Sequence, residues 1–178
     1  MELDLSNFNV RRTNPIILGN AGLPDNVERY VVKGQGLIGI DIFKDDKITI
    51  INIEGNQVCE AVVFDKSGKN KQSIIGFPNN GNADFIKLVL TKKSDKKNLL
   101  SSLKRKNINI SNAKSSNFFN IDSKANEKIN LTVEEDAFIL ISAPGENMKV
   151  DSYNPPTDLE VFIERSNKKN NKQESFLP

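Results

Sequence analysis

The sequence predicts a strand-rich α+β domain, an antiparallel sandwich or barrel-like sheet system carrying a two-helix insertion. Three observations predict it. Extended runs rich in β-branched residues crowd residues 28–65. Apolar residues at helical spacing are confined to about residues 82–106. Extended runs then return between residues 128 and 164.

The first 27 residues contain Pro15, Gly19, Gly22 and Pro24 without clear periodicity, and are expected to form an N-terminal arm (1–27) rather than a helix. The domain proper is expected to span 28–166. "ERYVVKG" opens it, and "LIGIDIF" alternates so that Ile38, Ile40 and Ile42 share a face. "KDDK" reads as a hairpin turn into "KITIINIE", and Gly55-Asn56, a pair tolerant of positive φ, leads into "VCEAVVFD". In "NADFIKLVLTKK", Phe85, Leu88 and Val89 have helical spacing, with Asn82 as the expected cap. "SDKKNLLSSLKRK" repeats the pattern with Leu99, Leu100 and Leu103 after Ser94, and Lys104 to Lys106 would complement the helix dipole. Residues 107–127 are polar and predict loop with one or two short strands. "KINLTVEEDAFILISAP" reads as two runs about Glu134-Glu135-Asp136, and "LEVFIER" alternates. Residues 167–178 read as a polar tail or linker.

Composition removes several classes of chemistry. Among 178 residues there is no histidine and one cysteine, so Ser-His and Cys-His pairs and internal disulfides are excluded. With so few nitrogen and sulfur ligands no zinc site is expected, and the acidic runs that could offer oxygen ligands, Asp45-Asp46 and Glu134-Glu135-Asp136, read first as turns, so no metal is assigned. A net charge of +2, from 25 basic and 23 acidic residues, offers no field for nucleic acid. No run has the length of a membrane span or signal peptide, and the expected location is the cytoplasm.

The remaining candidates are few. Gly34, Gly36 and Gly39 match a dinucleotide fingerprint, with Glu54 in the place of its ribose acid. A strand follows where that mechanism needs a helix, so the glycines are expected to serve close crossings. If residues 57–64 are extended, Val58, Glu60, Val62 and Phe64 share one face, and Gln57, Cys59, Ala61 and Val63 the other. Burying the first face would carry Glu60 inward and mark a site; a solvated Glu60, or cover on both faces, stays open. Cys59 reads as a small buried hydrophobe. Before the last strand, Tyr153, Asn154 and Asp158 stand in a proline-fixed loop as ligand candidates, or that loop is a rigid connection.

The stretch "VVKGQGLIGIDIFKDDKITIINIEGNQVCEAVVFD" resembles the opening of urea carboxylase-associated domains. There an acid-rich turn and a strand precede a Gly-x-Gln element with an acid three positions after the Gln. Gly55, Gln57 and Glu60 match those places, with Glu where that family often has Asp. Together with "RRTNPIILGNAGLPDNVERY" and "APGENM…PPTDLEVFIE", the chain is similar to the N-terminal region of glycine-cleavage aminomethyltransferase-class proteins, and to trimethylamine-oxide demethylases in layout. The resemblance covers most of residues 11–166. It implies a module of a folate-linked one-carbon enzyme that is not catalytically complete alone. Gln57 and Glu60 would be its ligand-binding candidates, with no cofactor in this chain. Tetrahydrofolate would sit on a missing or separate domain, and the partner would be that folate-binding domain or subunit, or a second copy. The family's metal-binding cysteines have no counterpart here. The alternative class is a noncatalytic β-rich module that binds a small ligand or a protein.

Overall fold

A computed structural model describes residues 22–92, 97–145 and 156–166. Among them the elements run β1 (Val27–Val32), β2 (Leu37–Ile42), β3 (Lys47–Asn52), β4 (Cys59–Asp65), a 3-10 turn (Gln72–Ile75), α1 (Asp84–Lys92), α2 (Lys97–Arg105), β5 (Ser116–Phe118), β6 (Glu127–Thr132), β7 (Ala137–Ser142) and β8 (Leu159–Glu164). The strands form two four-stranded antiparallel sheets, ordered β1-β8-β3-β6 and β2-β7-β4-β5. This is the strand order of a jelly roll. The sandwich and the two helices agree with the fold class read from the sequence.

Consecutive strands nearly always change sheet. "KDDK" is therefore no hairpin turn: β2 pairs with β7, and β3 pairs with β6 and β8. Its Asp45 takes φ +67°, and its Asp46 is buried, accepting from the Phe43 amide at 3.0 Å. The Glu134–Asp136 turn likewise carries the chain from one sheet to the other.

Alternation puts Ile40, Ile42, Ile48, Ile50, Val161 and Ile163 between the sheets, with Cys59, Ala61 and Val63 of β4 facing them. The other face of β4 is covered too. Val62 and Phe64 pack with Leu140 beneath Ile86, Val89, Leu90 and Leu103 of the helices. Fully burying a side chain of this size stabilises by about 1.5–3 kcal/mol before chain entropy is counted. Leu88 is instead an exposed position of α1; Ile86 and Leu90 take the buried stripe with Val89.

The helices are seated by specific contacts. Gly39 lies under α2, where a Cβ would sit 2.6 Å from the Phe138 ring and 2.8 Å from Leu99 Cδ1. Lys106, past the end of α2, pairs with Asp41 at 2.6 Å and lies 5.1 Å from the Phe138 ring centroid. That is a tether to the sheet in addition to any dipole role for the basic run.

The arm of residues 1–21, the tail beyond Ser166 and the Ser94 cap position lie outside the described residues. No described helix is long and apolar enough to cross a membrane.

Candidate functional site

Four connections meet at one end of the sandwich: residues 33–36, 53–58, 143–145 and 156–158. Gln57 joins them. Its Nε2 donates to the Val58 carbonyl at 2.7 Å and to the Pro144 carbonyl, and its Oε1 accepts from the Thr157 amide at 2.8 Å. One nearly buried carboxamide (2% exposed) thus bridges the segment leaving β7 to the segment entering β8. Both amide hydrogens are used, and no donor is left for a ligand. Asn52, wholly buried on the inner side of β3, adds a bond from Nδ2 to the Gln57 carbonyl at 2.9 Å.

Asp158 closes the same end. Its carboxylate accepts from Lys33 Nζ at 2.6 Å and from the Gly34 amide at 3.0 Å. Burial alone would raise this carboxyl, but those hydrogen bonds outweigh it and hold the group below its ordinary value. Gly34 is required by close approach, since a Cβ there would stand 2.5 Å from the Pro156 carbonyl oxygen. The glycine run therefore serves a crossing.

Glu60 belongs to the opposite face of β4. Its Oε2 accepts from the Ile86 amide at 2.9 Å. It caps the N-terminus of α1, with only 6% of the residue exposed. Asn82, the expected cap, instead has its side-chain oxygen on Lys114 Nζ at 2.7 Å. Burial pushes the Glu60 carboxyl above its ordinary value; the hydrogen bond from Ile86 opposes this, and the Asp84 charge reinforces it. Cys59 points the other way, into the core, and burial with the nearby Glu60 charge drives its thiol well above the ordinary range.

The sequence candidates therefore divide. Gln57 and Asp158 come together at the loop end, Glu60 is separated from them by the sheet, and Tyr153 and Asn154 lie outside the described residues. Among the described residues no group of three or more acids or cysteines is placed to hold a metal ion. An open surface depression at Asp65, Lys66, Ser67, Glu135 and Asp136 is laced by internal bonds. Lys66 pairs with Asp136 at 2.8 Å, Lys71 with Glu135, and Asp65 accepts from Ser67 and Lys69.

Two of the buried polar groups that sequence reasoning missed interrupt an apolar alternating face. The first is Asn52, a polar residue in phase with Ile48 and Ile50. The second is Arg165, in phase with Leu159, Val161 and Ile163. The Arg165 guanidinium pairs with Asp46 and with Glu28, each at 2.6 Å, and donates to the Asp41 carbonyl at 3.0 Å. Tyr30 donates to the same Glu28 oxygen at 2.7 Å. Burial would raise the Glu28 carboxyl, yet the hydrogen bonds from Arg165 and Tyr30 hold it low. In both cases the signal was present: a polar residue on an otherwise apolar alternating face.

No family model matches the chain. It is similar to trimethylamine-oxide aldolase from Ruegeria pomeroyi, being 31% identical over 145 residues. The match takes in 81% of this chain and 18% of that protein, so the chain spans about a fifth of the curated relative's length. The likeness relates the chain to that enzyme and does not single out the glycine-cleavage aminomethyltransferase class.

Proposed function

We propose that this chain is an accessory jelly-roll module of a methylamine-processing, folate-linked one-carbon enzyme, related to trimethylamine-oxide aldolase and dependent on a second domain or subunit for turnover. The observation that carries the reading is the reach of the likeness, which takes in most of this chain and a small part of the relative. The hydrogen bonding supports it. Gln57 and Asp158 have their groups engaged by the chain itself, and Glu60 is engaged by a helix end. In this reading tetrahydrofolate is held by a separate domain, and the module works in the cytoplasm, in keeping with its single thiol. Cys59 and Glu60 are structural.

The test is reconstitution. The purified chain is assayed for formaldehyde release from trimethylamine N-oxide, alone and mixed with a folate-binding aminomethyltransferase-like domain. The expected result is no turnover alone and turnover with the partner. Release by the chain alone would overturn the accessory role.

A noncatalytic binding module is the second reading, favoured by the same internally spent polar groups. It predicts that adding the folate-binding domain produces no turnover either.

A further inference from the structure

Each sheet ends in two edge strands, and among the described residues the four edges are treated differently. On β5 the chain covers its own edge: Asn80 Oδ1 accepts from the Asn117 amide at 2.6 Å and Asn80 Nδ2 donates to the Asn117 carbonyl at 3.3 Å. On β2 the Asp41 carbonyl accepts from Arg165 at 3.0 Å, and the Asp41 carboxylate holds Lys106. The edges of the other sheet, β1 and β6, pair with β8 and β3 on their inner flanks. The Arg165 amide, on the Asn26 carbonyl at 2.8 Å, sets the phase of β1 and turns the main chain of Val27, Arg29 and Val31 outward. The Val133 amide, on the Asp46 carbonyl at 3.0 Å, does the same for β6, where Lys128, Asn130 and Thr132 turn outward.

A two-fold axis brings an edge strand against the same strand of a second copy, and charge decides which edge accepts this. On β1, the register that uses all three outward residues sets Arg29 opposite the partner's Arg29, and like charges directly opposite are destabilising. On β6, the matching register sets Lys128 opposite the partner's Thr132 and Asn130 opposite the partner's Asn130, so no charge meets its like. On the inner side, half-buried Ile129 stands beside the partner's Leu131 at a close, non-hydrogen-bonded position. Asn130 Oδ1 accepts from the Thr49 hydroxyl at 2.9 Å, which leaves Nδ2 to donate across the axis. The strand is thus complementary to itself. We propose that the chain dimerises by antiparallel pairing of β6 with β6 of a second copy, about an axis at Asn130, joining the two β1-β8-β3-β6 sheets into one.

Sedimentation velocity on the full chain at about 0.1 mM tests it. The expected result is a dimer that Asn130→Lys and Asn130→Asp each weaken at least about tenfold, and that mixing the two variants restores. Position 130 is exposed, so urea midpoints near that of the wild type confirm that both variants are folded. A monomeric wild type, or a dimer that neither variant weakens, overturns the proposal. Cross-linking under oxidised glutathione reads the register separately, with the native Cys59 buried. Asn130→Cys brings two Cα atoms to about 5.5 Å, within disulfide range, whereas Thr132→Cys leaves them about 14 Å apart. Cross-linking at least about tenfold faster at position 130 supports the axis; equal rates, or none at either position, overturn it.

Discussion

Replacing Gln57 by Ala tests whether the loop end is held together by one side chain. The change deletes the bonds to Pro144 and Thr157, the two that link separate segments, and the local one to Val58. It leaves the Thr157 amide and the Pro144 carbonyl needing partners. A buried polar group stripped of its partner costs about 1–3 kcal/mol, so the two together predict a loss of about 2–6 kcal/mol. Urea denaturation would show this as a lower midpoint at unchanged slope. Gln57→Glu is a sharper companion, because it keeps the acceptor for Thr157 but turns the other oxygen toward two carbonyls. It should be at least as destabilised at neutral pH and recover as the acid takes up a proton. A loss below about 0.5 kcal/mol for Gln57→Ala, within the range of ordinary surface changes, would refute the reasoning.

Arg165→Met should cost about 3–5 kcal/mol in chemical denaturation, because it strands the buried Asp46 carboxylate along with Glu28; adding Asp46→Asn should return part of the loss. The Glu60 carboxyl titrates above its ordinary value of 4.5 in the folded chain, so its contribution to stability is intact below that pH and declines as pH rises through the raised value. Glu60→Gln, which keeps an acceptor for the Ile86 amide, should therefore gain on the wild type in urea midpoints as pH rises above 4.5 and through the raised value; a difference independent of pH would contradict the buried cap.

The sandwich was legible because β3 and β8 alternate cleanly, with Ile48 and Ile50, and Leu159, Val161 and Ile163, on the inner side. The topology was not. A hairpin is a local signal, but in this fold "KDDK" joins strands that never pair, and partners such as Val27 and Glu164 come from opposite ends of the domain. β4 also hid its arrangement. Both its faces are covered, so periodicity alone left the orientation of Glu60 open. Burial of Glu60 was among the readings open from sequence, but its task was not, because the amide it caps lies 26 residues further on. Asn52 and Arg165 were readable in principle, since each breaks an apolar face at an inward position.

The Arg165 amide donates to the Asn26 carbonyl at 2.8 Å, so the first and last strands of the jelly roll share one seam. A unit whose entrance and exit are that close can be spliced into a surface loop of a host protein without prising the host apart. The seam is therefore a natural place at which to cut or fuse this jelly roll.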